Sequence, residues 1–285
     1  MPKENSTKNI RIAFYLNLAF AFVELIGGII TNSVAILSDT AHDFGDSISL
    51  AIAWALQKKS NKAKDDKYSY GYKRFSLLSS VILSAILLVG SILILKEAIG
   101  RLFNPQEVNA QGMLWLAILG IIVNGLAALS VKRGKTLNER AVFLHIMEDV
   151  LGWIGVLVIS IVMIFVNLPI LDPILSIGIS IWVLFNVYKN IRATFNILLQ
   201  ACPKDVDVKK LTEEIKEIED VLSIHDLHIW TQDGLSHVMT LHVVAEKNYE
   251  TIKIKVREIA KTFNIDHVTI ELEGEDSACE EKTQS

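Results

Sequence analysis

Two pairs of residues in apolar surroundings carry the chemistry of this sequence. His42 is followed four residues later by Asp46 in SDTAHDFGDSISL, and His145 by Asp149 in FLHIMEDVLGW. On a helix a spacing of four sets both side chains on one face, one turn apart. Two such helices facing each other offer two imidazoles and two carboxylates to one point, a tetrahedral N2O2 set suited to zinc. The carboxylate charges also neutralise a divalent ion. A charge near the centre of a bilayer costs about 2.5 kcal/mol or more, so the same pair on two apolar segments argues for one shared metal. Other polar residues in these segments have blander readings. Glu24, Asn17 and Asn124 read as interhelical hydrogen-bonding groups. Asp39, toward the start of its helix, caps or pairs. Asp43 and Glu148 are one residue off the faces of the two pairs.

The elements that position these pairs are membrane helices. The chain has 285 residues, 51% of them hydrophobic, and a mean hydropathy of +0.38. A spanning helix needs roughly 20 mostly apolar residues. Six segments meet that expectation, at about residues 10–30, 34–57, 76–100, 112–132, 142–166 and 170–189. In lipid the backbone must satisfy its own hydrogen bonds, so runs this long are helices. The polar start MPKENSTKN leads into an apolar run that contains Glu24 and lacks a small-residue cleavage site, as in a retained helix. Lys and Arg crowd the N-terminus, the second connection (KKSNKAKDDKYSYGYKR), the fourth (KRGKTLNER) and the stretch after the sixth segment. The alternate connections are nearly free of positive charge, apart from Lys96 and Arg101. The positive-inside rule then puts both termini in the cytoplasm.

Near residues 200–206, at ACPKDVD (201–207), the composition changes to that of an ordinary charged domain, and Pro203 ends the incoming helix. Residues 207–220 have helical periodicity. Residues 221–230 and 237–246 alternate as strands about the turn QDGLS, 249–263 return to helix, and 266–273 form a last strand. That order fits an α+β domain of ferredoxin-like kind. The expected architecture is therefore an α-helical membrane protein: a six-helix transmembrane domain over 1–200, a cytoplasmic ferredoxin-like metal-binding domain over 206–274 and a disordered acidic tail over 275–285.

Five of the seven histidines fall in the soluble portion. His225, His242 and His267 lie on or beside different strands and are candidate imidazole ligands, and Glu273 adds a carboxylate. His237 reads as a packing histidine, whereas His228 reads equally as ligand or as partner to a ligand. The two cysteines, Cys202 and Cys279, are too few and too distant for a disulfide framework or a zinc ribbon, and read as free thiols. The net charge of −4 comes with no basic, aromatic-interleaved patch, so nucleic acid is not an expected partner. A metallohydrolase would need an open water position and a general base, often as HExxH, which the sequence lacks. A membrane-bound metal sensor would leave the paired residues in the bilayer without purpose.

The stretches TNSVAILSDTAHDFGD, YSYGYKR, FLHIMEDVLGWIGV, HDLHIW and TLHVV resemble the cation diffusion facilitators, divalent-metal/proton antiporters, in their zinc-transporting branch. The resemblance implies a homodimer that moves zinc out of the cytoplasm in exchange for protons, with membrane lipid around six helices. It maps the transport site onto His42, Asp46, His145 and Asp149. It maps a regulatory zinc site near a dimer interface onto His225, His242, His267 and Glu273. Histidine at position 42 resembles the zinc-selective members, while aspartate there goes with cadmium transport as well. Some members hold another metal in the second connection with one aspartate and two histidines. Here those positions are Asp65, Tyr68 and Tyr72, so no metal is expected there. The short fourth connection without histidine resembles a bacterial type, in an inner or plasma membrane.

Overall fold

The computed structural model describes the backbone of residues 2–60, 62–131 and 137–274. The tail at 275–285 with Cys279, part of the fourth connection, and the side chains of Asn17, Asp46 and His145 lie outside the described residues. Six long helices come first: α1 (Pro2–Thr31), α2 (Val34–Ser60), α3 (Phe75–Phe103), α4 (Ala110–Val131), α5 (Leu137–Val166) and α6 (Leu171–Leu198). The shortest, α4, has 22 residues. At 1.5 Å per residue it is about 33 Å long, enough for a hydrocarbon core of roughly 30 Å.

Among the described residues four helices are long and apolar enough to cross a membrane: Phe75–Phe103, Ala110–Leu129, Ile146–Val166 and Leu171–Leu198. The first two of the six expected spans are not among these four. Among the described residues α1 contributes the apolar stretch Leu18–Thr31; several side chains of α1 and α2 lie outside the described residues.

Two compact units emerge, Met1–Leu56 with Ser79–Ile191, and Gln57–Leu78 with Arg192–Ser285. In the first unit, large apolar side chains such as Trp115, Ile122 and Phe165 point outward, as suits a surface solvated by lipid. Inside, Trp153 is fully buried and meets Phe20 edge-on at 5.6 Å between ring centroids. Gly120 of α4 makes that packing fit: a Cβ there would come within 2.3 Å of the Trp153 ring. Small residues at helix crossings permit this close approach in membranes.

The second unit holds α7 (Val208–Lys216), β1 (Val221–Thr231), β2 (His237–Ala245), α8 (Tyr249–Thr262) and β3 (Ile265–Glu273), close to the ranges the sequence pattern gives. Asp207 caps α7, accepting from Lys210 N at 3.1 Å. The sheet order is β1-β2-β3, with β1 antiparallel and β3 parallel to β2. The sheet has three strands among the described residues, one fewer than the β-α-β-β-α-β pattern of a ferredoxin-like domain. Leu211 and Ile215 of α7 and Ile252, Val256 and Ala260 of α8 form one core with alternate β2 residues Met239, Leu241, Val243 and Ala245. This leaves the other β2 residues, His242 among them, facing away from that core.

The α2–α3 connection packs within this second unit. Tyr70 stands edge-on to Trp230 at 6.3 Å and to His267 at 5.6 Å, and Lys73 Nζ donates to Ser236 Oγ at 2.7 Å.

Candidate metal centres

The polar groups of the first unit lie in its interior. Asp43 is fully buried, and Asp39 and Asp149 are buried too. Helices α2 and α5 lie against each other at this level: a Cβ at Gly152, three residues beyond Asp149, would be 3.7 Å from Asp39 Oδ1. Of the expected transport quartet, His42 and Asp149 are described. His42, half-buried, faces a small cavity of about 10 Å³ lined by Ser38 and Ala41 of α2, Leu87, Gly90 and Ser91 of α3, and Val183 of α6, room for about one water molecule. Among the described residues the structure does not bring His42 and Asp149 into one cluster of three ligands. Asp46 and His145 lie on α2 and α5, one turn from them in sequence.

Residues set aside in the sequence reading fill the space between these helices. Glu24 of α1 is fully buried. Asp43, Trp153, Asp39 and Asp149 are its polar neighbours, within electrostatic reach. Three helices thus bring four carboxyl groups to one interior region. The signal was present: Asp39 and Asp43 also stand four residues apart, a second polar face on α2 beside the His42 face.

The soluble unit holds a cluster built by strand register. His225 of β1 pairs with His242 of β2, and β3 continues the row with Glu271 opposite His242 and Glu273 opposite Val244. Glu273 Oε1 lies 2.7 Å from His242 Nδ1 and 3.4 Å from His225 Nε2. The His225 and His242 rings are 5.1 Å apart. One ligand atom from each of His225, His242 and Glu273 lies within 4.8 Å of the others. Zinc with bonds near 2.0–2.2 Å holds tetrahedral ligand atoms about 3.4 Å apart, so small side-chain rotations convert this cluster into three ligands. Two more carboxylates flank it: Asp226 and Glu271 lie 3.7 and 3.6 Å from His242 Nε2. Asp226 occupies a break in the β1–β2 register with φ 47°, a left-handed position that aspartate tolerates better than most residues. Bulges of this kind re-aim side chains.

The remaining histidines separate clearly. His228, exposed, sits 2.8 Å from Asp226 Oδ1 through Nε2, so it holds a carboxylate that flanks the cluster. His237 is buried with Nε2 3.0 Å from Asp205 Oδ2, and that contact holds the Asp205 carboxyl below its usual range. His267, also expected as a ligand, lies apart from this cluster. Parallel register sets it opposite Val238, four residues from Glu271. At about 3.3 Å per residue that is about 13 Å along the strand, and its ring packs on Tyr70 instead.

In the second connection Asp65 already has its partners. Its carboxylate accepts from Lys62 Nζ and Tyr72 OH at 2.8 Å each, and from the backbone of Lys67 and Tyr68. The Lys62 ammonium occupies the place beside this carboxylate that a cation would take.

Residues 10–199 match the family model described as the cation efflux transmembrane domain, and residues 203–275 the cation efflux protein cytoplasmic domain. A cadmium, cobalt and zinc/H(+)-K(+) antiporter of Bacillus subtilis is 35% identical over 277 residues, covering 94% of this chain and 89% of the relative. The metal cation efflux system protein CzcD of Cupriavidus metallidurans is 34% identical, covering 93% and 86%. The zinc transporter ZitB of Yersinia pseudotuberculosis is 32% identical, covering 95% and 89%. With residues 10–199 and 203–275 matched and these relatives covered over 86–89% of their length, this chain belongs to the cation efflux family of membrane transporters, the cation diffusion facilitators.

Proposed function

We propose that this chain exports zinc from the cytoplasm in exchange for protons, through a site made by His42, Asp46, His145 and Asp149 on six spanning helices. The observation that carries the proposal is the burial of Asp149 on α5 and Asp39 on α2, where these helices meet in a bundle whose outer surface is apolar. Gathered carboxylates repel one another, and either a divalent cation or protons relieve that repulsion. Imidazole and carboxylate bind metal only when deprotonated, so metal and protons compete for the same atoms. Exchange follows if the site opens alternately to each side. The zinc transporter and the cadmium, cobalt and zinc antiporter among the relatives support this cargo class. Histidine at position 42 favours zinc over cadmium.

In this reading both termini are cytoplasmic, in a bacterial-type inner membrane. The second unit is a ferredoxin-like domain one strand short, and the chain works as a homodimer. His225, His242 and Glu273 hold a resident zinc that regulates transport.

Purified chain in liposomes tests the proposal. Zinc movement should require, and produce, opposite proton movement. Zinc flux indifferent to collapse of the proton gradient, with no internal pH change, overturns it.

A further inference from the structure

The first turn of α2 is completed by a residue of another helix. A helix start leaves four N–H groups without intrahelical partners. Here Ser33 N donates to the Gly28 carbonyl at 3.1 Å, and Ser33 Oγ accepts from Ile36 N at 3.1 Å. The remaining two donors go to α6: Asp172 Oδ2 accepts from Val34 N at 2.8 Å, and Oδ1 from Ala35 N at 3.3 Å. Oδ1 also accepts from Ser33 Oγ at 2.5 Å. Ser33, Ala35 and Asp172 are fully buried. A carboxylate at a helix N-terminus gains from the N–H groups and from the helix dipole together.

The turn before it is held from the other side. Asn32, at φ 55°, presents its carbonyl to Arg101 Nη1 at 2.6 Å and its side-chain oxygen to Nη2 at 3.0 Å. Asn109 N donates to the Thr31 carbonyl at 2.9 Å. Arg101 is itself buried, at the end of α3, and is within electrostatic reach of Asp172. The α1–α2 turn, the end of α3, the α3–α4 connection and the start of α6 are thereby tied into one polar knot at the end of the bundle opposite the basic connections.

We infer that Asp172 is the latch that closes the transport path at this end. The inference rests on the transport reading above. It fixes α2 lengthwise against α6, and α2 carries His42 about 12 Å further along. The cavity at His42 has walls from the same two helices, through Ser38 and Val183. Cargo leaving at this end requires the start of α2 to part from α6, and the contacts that must break are those of Asp172 with Ser33, Val34 and Ala35. Asp172 touches no cargo. It is a positioning residue whose loss frees a movement.

Thiol labelling reads that movement directly. In a chain with Cys202→Ser and Cys279→Ser, Ile36→Cys places one thiol at a fully buried position beneath the latch. A membrane-impermeant maleimide is added to intact cells, and separately to inverted vesicles. With Asp172 present, labelling should be slow from both faces. Asp172→Asn should speed it about tenfold or more, as expected for losing charged hydrogen bonds, and from one face only. Ser33→Ala, which removes the hydroxyl's bonds to Asp172 and to Ile36 N but leaves the carboxylate with Val34 and Ala35, should give a smaller rise on that face. It decides the matter if Asp172→Asn fails to fold. Unchanged labelling, or an equal rise from both faces, overturns the latch. Zinc flux of the parent chain is measured in the same vesicles. Absent flux counts against the transport reading, while unchanged labelling in a chain that moves zinc counts against the latch alone.

Discussion

The two units hold their metal-binding chemistry in opposite ways. In the soluble unit His225, His242 and Glu273 come from three adjacent strands, and backbone pairing alone sets them side by side. Nothing large must move for a metal to enter, and nothing in the sheet offers a second arrangement. In the membrane unit the polar side chains come from α1, α2 and α5, and only side-chain packing decides how far apart they lie. Glu24, Asp39, Asp43 and Asp149 share one interior region without a ladder of hydrogen bonds behind them. A site fixed by register suits a resident ion. A site fixed by helix packing can be made and unmade by a small slide of one helix, which a carrier requires.

The strongest way to break this comparison is to remove one ligand from each site. Asp149→Ala should abolish zinc flux in liposomes, a loss of 100-fold or more by analogy with the roughly 10–100-fold cost of losing even a supporting partner of a metal ligand. The same variant should keep the metal binding of the soluble cluster, measured by equilibrium dialysis of the full chain. His242→Ala should do the reverse. It should weaken that binding by more than about 100-fold, with flux persisting at a reduced level. Flux that survives Asp149→Ala would remove the carrier role from the membrane set.

Selectivity sharpens the contrast at one residue. His42→Asp replaces a nitrogen ligand by a harder oxygen on α2 while leaving the sheet cluster untouched. Zinc flux should persist and the ratio of cadmium to zinc flux should rise several-fold, since ligand type and site geometry set metal choice. An unchanged ratio in competition flux assays excludes His42 as the selecting residue.

A smaller effect separates two histidines that look alike in sequence. His267→Ala should leave metal affinity of the soluble cluster within about twofold, because register carries His267 about 13 Å from the Glu271 row. A loss like that of His242→Ala would mean that the ring swings away from Tyr70 to bind.

How much was legible follows the same division. The alternation in VLSIHDLHIWT and HVMTLHVVA marks both strands, and the short turn between them makes His225 and His242 cross-strand neighbours almost inevitable. Glu273 closes the cluster because β3 runs parallel to β2 at a register that β3 itself does not encode; the same unknown register made His267 look like a ligand. That the sheet has three strands among the described residues was illegible for a related reason, since the sequence pattern does not say whether β3 pairs directly with β2. In the membrane unit the two four-residue spacings stand out because nothing else charged surrounds them. Glu24 was read as a lone hydrogen-bonding group because its neighbours Asp43 and Trp153 lie on other helices, and helix rotation about its own axis leaves no mark in a nearly uniform apolar pattern. The role of Asp172 is hidden likewise: its partners are the Ser33 hydroxyl and two backbone N–H groups, 137 to 139 positions away.

A last contrast concerns the connection between α2 and α3, which joins the two kinds of region along the chain. Asp65 binds Lys62 and Tyr72, and these contacts hold its carboxyl well below the usual range and the Lys62 ammonium above its own. A lowered carboxyl contributes stability above its ordinary value of about 4, and loses it as pH falls through the lowered value. A raised ammonium contributes below about 10.4 and loses it only as pH climbs through the raised value. Between roughly pH 5 and 9 neither contribution changes, so the knot is indifferent to the range in which histidine titrates. Limited proteolysis of this connection should therefore run at a constant rate across that range. Asp65→Asn should raise the rate a few-fold at every pH within it, because an exposed ion pair contributes little. A rate that instead rises as pH falls from 7 to 5 would mean that protonation of a histidine loosens the connection, with His267, packed on Tyr70, the first to replace by glutamine.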